Sequence, residues 1–258
     1  MSRLLVRRSR EEAAAQAADI ILTCVALRPR AVVGLATGAT QAPVFAEIVR
    51  RSRADGISFR QVTFFHLDEY CGLPPDHRLA MARELARSFL DLIDAVPERL
   101  PLLDGNAADP VAEACRYEMA IRDAGGIDLQ ILGLGANGHI AFNEPGSPIE
   151  SRTRVVTLSS ETRARNRAGL PAGEMVPKRA LSLGIATILE ARAILLVAAG
   201  ADKAQALRAA IEGPETTSCP ASALRRHPGL TIVADRDAAA GLTRVSGSTA
   251  SGLRCDIG

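Results

Sequence analysis

Ala193-Ile-Leu-Leu-Val-Ala198, then Asp202 to Glu212, then Gly229-Leu-Thr-Ile-Val-Ala234 read as strand, helix and strand. A strand that wets one face alternates apolar and polar residues; a nearly unbroken apolar run is covered on both faces. Two such strands joined by a helix pair in parallel, since an antiparallel pair needs no crossover of that length. The pattern extends towards the N-terminus. Ala31-Val-Val-Gly-Leu35, Gln61-Val-Thr-Phe-Phe65, Asp128-Leu-Gln-Ile-Leu132 and the shorter Arg154-Val-Val-Thr-Leu158 are predicted strands. Helices are predicted over 10–27, 42–53, 79–94, 110–124 and Ala180–Leu189, with Asp55-Gly56 and Gly125-Gly126 as stops. The expected fold is therefore α/β: a mainly parallel central sheet flanked by helices on both faces, three-layered and of modified Rossmann-like type. No repeat, linker or break in composition divides the chain. A single domain over 1–258 is expected, with the Gly-, Ser- and Thr-rich stretch 241–258 as a frayed tail.

Composition narrows the function. Apolar residues make up 47% and charged residues 23% of the 258, as in ordinary globular proteins. The 31 basic and 29 acidic residues leave a net charge of +2 with no basic stripe, and six Phe, two Tyr and no Trp offer no base-stacking platform. Nucleic acid is not an expected partner. The five cysteines contain no CxxC and the four histidines no HExxH, so no metal is expected and the thiols read as reduced, in a cytoplasmic protein. Near the arginine-rich N-terminus the longest apolar stretch, Ile20 to Leu27, is too short to span a bilayer, and no membrane partner is expected.

Ligands of open parallel sheets bind outside the carboxyl ends of the strands. Four segments just after strands carry unusual polar residues. Ala36-Thr37-Gly38-Ala39-Thr40 precedes a helix, and small residues with hydroxyls at a helix start make an anion site; the same residues also suit an ordinary turn capped by Thr40. His66-Leu-Asp68-Glu69-Tyr70 places two acids where burial is costly unless they are exposed, paired or used. Gly133-Leu-Gly135-Ala-Asn137-Gly138-His139 spells GxGxxG, but Pro145-Gly146 cuts short the helix a dinucleotide site needs. The crowding of Asn137, His139, Asn143 and Glu144 into that turn instead suggests proton transfer. Finally Gly200-Ala-Asp-Lys203 opens a helix with one of only two lysines, the other being Lys178; a lysine there opposes the helix dipole, which a bound phosphate would reconcile. An anion cradle, a carboxylate base and a His–Glu pair thus share one sheet edge. The chemistry this suggests is proton transfer on a small phosphorylated molecule, with no metal, nucleotide or other cofactor.

These residues also carry a resemblance. Gly34-Leu-Ala-Thr37-Gly-Ala-Thr40, Leu67-Asp-Glu-Tyr-Cys-Gly-Leu73 and above all Leu132-Gly-Leu-Gly-Ala-Asn-Gly-His-Ile-Ala-Phe-Asn-Glu-Pro145 resemble the glucosamine-6-phosphate deaminase (isomerase) family. Ser151-Arg-Thr-Arg154, Val176-Pro-Lys-Arg-Ala-Leu-Ser-Leu-Gly184, Gly200-Ala-Asp-Lys203 and Pro220-Ala-Ser-Ala-Leu224 extend the likeness from about residue 10 to about 240. The resemblance implies an amino-sugar phosphate as small-molecule partner and an aldose–ketose isomerisation with deamination. It implies that His139, oriented by Glu144 and Asn137, opens the pyranose. Asp68 would then move a proton from C2 to C1, and hydrolysis of the C2 imine would give fructose 6-phosphate and ammonia. Thr37, Gly38, Ala39, Thr40 and Lys203 match positions that hold the phosphate.

The chain departs from the family in places. Asn137 stands where Asp is frequent, and Ala80-Met81 where many members carry Ser-Tyr. An arginine expected near residue 168 is replaced by Ala168, leaving neighbouring Arg167 as the candidate for that phosphate contact. Ser147 and Arg154 match an allosteric sugar-phosphate site of some members, but Val156 replaces a lysine there and the tail differs, which implies weak or absent activation by N-acetylglucosamine 6-phosphate. Assembly into a homo-oligomer stays open. The alternatives are a 6-phosphogluconolactonase-type hydrolase, which shares the glycine-rich turn and histidine, and a non-catalytic sugar-phosphate-binding regulator. Tyr70 and Phe142-Asn143-Glu144 favour the deaminase over the first, and the presence of Asp68, His139 and Glu144 disfavours the second.

Overall fold

The computed structural model describes residues 3–167, 174–243 and 254–257. Its first half runs β1 (Arg3–Arg7), α1 (Arg10–Leu27), β2 (Val32–Leu35), α2 (Gln41–Asp55), β3 (Thr63–His66), β4 (Asp68–Tyr70), α3 (Met81–Ser88) and α4 (Pro110–Asp123). The second half runs β5 (Leu129–Gly133), β6 (Arg154–Thr157), α5 (Ser160–Asn166), β7 (Arg179–Ser182), α6 (Ile185–Leu189), β8 (Ala193–Ala198), α7 (Ala204–Glu212), β9 (Leu230–Asp235), α8 (Arg236–Ala239) and β10 (Arg254–Ile257).

Seven strands form a sheet in the order β10-β1-β9-β8-β5-β2-β3, with every neighbouring pair parallel. The unbroken apolar runs feed both faces. Val33, Ile131, Leu195 and Val233 enter one buried cluster with α1, α2 and α3. Val32, Leu132, Leu196 and Ile232 enter the other with α4, α6, α7 and α8. This is the expected three-layer α/β arrangement. From β2 the chain crosses outward to β3 at one edge, whereas from β5 it goes on to β8 and β9 in the opposite direction. The crossovers diverge between β2 and β5 and leave a crevice over their carboxyl ends, the usual ligand position of such sheets.

Three expectations need correction. Residues 180–189 are not one helix: β7 is the middle strand of a second, antiparallel sheet, β4-β7-β6, and only α6 is helical. Gly184 lies between the two as the helix N-cap, where a Cβ would collide with the Ser151 carbonyl. The strand predicted at 154–158 is present as β6, in this small sheet. The helix predicted over 79–94 stops at Ser88, where Phe89 leaves the helix and turns in to stack on Phe45, with ring centroids 4.6 Å apart. The tail does not fray throughout, since Arg254–Ile257 return as β10 and pair with the outer edge of β1, an N-terminal strand not anticipated from sequence. That pairing satisfies backbone groups an edge strand otherwise leaves open. Among the described residues no helix is long and apolar enough to cross a membrane.

Candidate active site

A cavity of about 370 Å³ opens in the crevice over β2 and β5, within the usual size of a small-molecule site. Its described wall holds Ala36 to Thr40, Leu67 and Asp68, Met81, Gly133 to Gly135, His139, Ala141 and Phe142, Asn166, and Lys203. Each of the four polar segments picked out in the sequence contributes to it.

The turn after β2 has the form of an anion cradle. Gly38 lies at φ +101 with nothing near its Cβ position, and its carbonyl accepts the Gln41 amide (2.9 Å) and the Ala42 amide (3.2 Å) that begin α2. Thr40 makes no side-chain cap bond, so its hydroxyl is not used as an ordinary helix cap. Across the cavity, Lys203 ends a 3-10 turn over Ala201–Lys203, and its ammonium lies 2.8 Å from Asp202. The buried Asp235 carboxylate fixes this turn by accepting the Gly200 amide at 2.9 Å.

The two adjacent acids do different work. Strand alternation on β4, held by the pairing of Asp68 with Ser182 on β7, puts Asp68 in the cavity wall and buries Glu69 on the other side. The Glu69 carboxylate accepts amides of Met81 (3.0 Å), Ala82 (2.9 Å) and its neighbour Tyr70 (2.8 Å), and so fastens the start of α3. Burial pushes the Glu69 carboxyl up, but attraction to His66, whose Nε2 lies 3.7 Å away, and the bonds from the Met81 and Ala82 amides outweigh it and keep it below its ordinary value. Nothing comparable offsets the burial of Asp68. Burial first, then the charges of Glu69 and Glu84, lift its carboxyl to about 7. A carboxylate of that strength is a general base matched to neutral pH.

The glycines of the third segment serve the loop itself rather than a pyrophosphate. A Cβ on Gly135 would overlap the His139 ring, and Gly138, at φ +83, has Cys219 Sγ 2.6 Å from its Cβ position. Gly135 therefore makes room for the imidazole, and the Gly138 carbonyl is tied to the Ala221 amide (2.9 Å). Asn137 Oδ1 accepts the His139 backbone amide (3.3 Å) and sits 2.6 Å from Nδ1. With that oxygen accepting, Nδ1 carries the hydrogen and Nε2 presents its lone pair. Ala141 adopts φ +50, an uncommon conformation for a residue with a Cβ, within the cavity wall. Buried Asn143 secures the loop, donating to the Ile140 (3.0 Å) and Leu183 (2.8 Å) carbonyls and accepting from Arg154 (2.9 Å).

Three expected site residues lie outside the described wall. The carboxylate of Glu144 is bonded to the Ser159 amide and hydroxyl, both 3.1 Å, at the entrance of α5, and Asn137 supplies the orienting bond to His139. Neither Asn137 nor Glu144 is part of the described wall. Arg167 is exposed at the end of α5 and also outside that wall, because the helix it closes carries Asn166 inward instead. Asn166 Nδ2 donates to the Tyr70 hydroxyl at 2.8 Å. Sequence reasoning missed Asn166 and Glu84, and noted Met81 only as a departure. The spacing of Met81 and Glu84, three residues apart on one helix face, is the signal that both look the same way.

Fold and site together define a doubly wound α/β protein with a small-molecule cavity at its switch point, furnished for proton transfer beside an anion cradle. The family model described as glucosamine-6-phosphate isomerases/6-phosphogluconolactonase matches residues 7–233, and the chain belongs to that family. It is 46% identical over 231 residues to the glucosamine-6-phosphate deaminase of Bacillus velezensis, covering 90% of this chain and 96% of that one. A solved monomeric glucosamine-6-phosphate deaminase superposes with a TM-score of 0.90 at 40% identity, over 93% of this chain and 99% of its own. The 6-phosphogluconolactonase from Trypanosoma cruzi shares the fold, with a TM-score of 0.74 at 23% identity over 94% and 97% of the two chains.

Proposed function

We propose that this protein is a glucosamine-6-phosphate deaminase acting as one catalytic unit in the cytoplasm, converting glucosamine 6-phosphate and water to fructose 6-phosphate and ammonia. The observation that carries the reading is Asp68 and His139 in the wall of one cavity that also holds the Thr37–Thr40 cradle and Lys203. The phosphate sits on the cradle amides and hydroxyls with Lys203 as counter-charge. Nε2 of His139 takes the proton of the C1 hydroxyl and delivers one to the ring oxygen, opening the pyranose. Asp68, ionised above about pH 7, removes the C2 proton and returns it at C1. The pair of electrons left at C2 forms the C1=C2 bond of the enolamine as the C1 oxygen takes a proton from water. The nitrogen lone pair then forms the C2 imine as the C1=C2 pair takes up the proton returned at C1, and water cleaves the imine to ketone and ammonia. Asn137 keeps His139 in the working tautomer, and Glu144 holds the α5 entrance rather than the imidazole.

The lactonase reading lacks a comparable observation, since its solved relative shares the fold at low identity. The deciding experiment follows ammonium and fructose 6-phosphate together from glucosamine 6-phosphate, with hydrolysis of 6-phosphogluconolactone as the second arm. Equal appearance of both products is expected. Lactone hydrolysis without ammonium overturns the proposal. Lys203→Ala is expected to raise KM by roughly tenfold to a hundredfold, with a smaller change in kcat, because the phosphate is remote from the reacting carbons. Steady-state kinetics check this, and an unchanged KM removes Lys203 from the phosphate site.

A further inference from the structure

We propose that Glu84 sets the affinity of this site for phosphorylated ligands, because its carboxylate holds the Gly38 amide that an incoming phosphate must take. The inference rests on reading Thr37–Thr40 as the phosphate cradle, and goes beyond it by identifying an internal competitor.

The Gly38 amide donates to Glu84 Oε1 at 3.1 Å. A second contact joins the same two elements, since the Thr37 hydroxyl donates to Met81 Sδ at 3.2 Å. Helix α3 therefore lies across the cradle and presents a negative charge to it. The helix backbone is not the part that yields, because its first two amides are fixed by the buried Glu69 carboxylate. The Glu84 side chain is half-buried and accepts the one Gly38 amide where Glu69 accepts three, so it is the part that moves. A carboxylate and a phosphate dianion on one amide repel each other strongly in a partly enclosed site. Phosphate entry is then an exchange: one charge-assisted bond is broken before several are made. Arg87, exposed three residues further along α3, offers the expelled carboxylate a new partner on the same helix face. Lys203 is already paired with Asp202, so on both sides of the cavity an internal ion pair or hydrogen bond is traded for the phosphate. The result is a site that gives up affinity and releases its phosphorylated product readily.

Titration calorimetry with inorganic phosphate, at about pH 8, on the wild-type protein, Glu84→Gln and Glu84→Ala tests the proposal. Glu84→Ala is expected to bind phosphate roughly tenfold more tightly than wild type. Glu84→Gln keeps an acceptor for the Gly38 amide but loses the charge, and is expected to fall between them. KM for glucosamine 6-phosphate is expected to drop by a similar factor. Phosphate affinity in Glu84→Ala equal to or weaker than wild type, or no binding in any of the three, overturns the inference. Tighter phosphate binding by Glu84→Ala in a protein that releases no ammonium supports the inference and overturns the proposed reaction. Ammonium release with phosphate affinity and KM unchanged across the three proteins overturns the inference and leaves the reaction standing.

Discussion

Asp68→Asn is expected to cut turnover of glucosamine 6-phosphate by roughly a thousandfold or more, while substrate affinity stays within a few-fold. The amide keeps the shape of the side chain but takes no proton from C2, and the phosphate cradle that supplies the binding is untouched. In the wild type, kcat/KM is expected to rise with pH through a value near 7, because burial and the charges of Glu69 and Glu84 raise the Asp68 carboxyl to about 7. A rise centred near 4 would mean that the base is not held in this environment. The same shift has a thermodynamic side. A carboxyl whose folded value lies above its unfolded one binds more protons when folded, so its contribution to stability is full below about pH 4 and declines as pH rises towards 7. Asp68→Asn removes that loss. The variant is expected to be more stable than wild type at about pH 8, by roughly 2 kcal/mol once screening by water in the cavity is allowed for. The difference closes near pH 4. Thermal melts at the two pH values measure it, and a variant less stable than wild type at the higher pH contradicts the buried-charge account.

Gly135→Ala carries the second large effect, without replacing any side chain that meets the substrate. The added methyl overlaps the His139 ring and drives it from Asn137. Misplacing a proton-transfer group by about an ångström costs on the order of a hundredfold in rate, and overpacking costs about 1–3 kcal/mol in stability. Turnover is expected to fall close to that of His139→Gln, and the double variant is expected to be no slower than the slower single one, since both act on one imidazole. Turnover of Gly135→Ala within threefold of wild type would remove His139 from the chemistry.

The sequence showed the central sheet because strands buried on both faces are nearly unbroken apolar runs, as β2 and β8 are and as β3, β5 and β9 are apart from one or two polar positions each. It concealed β1, whose three buried residues are flanked by Arg3 and Arg7. It misled at Ala180–Leu189, where a strand stabilised by partners from distant parts of the chain precedes a one-turn helix. The site segments were legible because they follow strands, and ligand positions in such sheets are fixed by topology. What escaped depends on contacts between remote residues. Glu84 reaches an amide 46 positions away, and Asn166 meets Tyr70 across 96. No local pattern records either. The resemblance implies that Glu144 orients His139, whereas the Glu144 carboxylate accepts from Ser159.

Asp68 is carried by the small antiparallel sheet, whereas the cradle, His139 and Lys203 follow strands of the large parallel one. Recognition of the substrate tail and the reach of the base are thus mounted on separate supports. A different packing of the three short strands would re-aim the carboxylate at a neighbouring carbon while the grip on the phosphoryl group stayed as it was. Lineages built on this scaffold are free to change which bond they break without relearning what they hold.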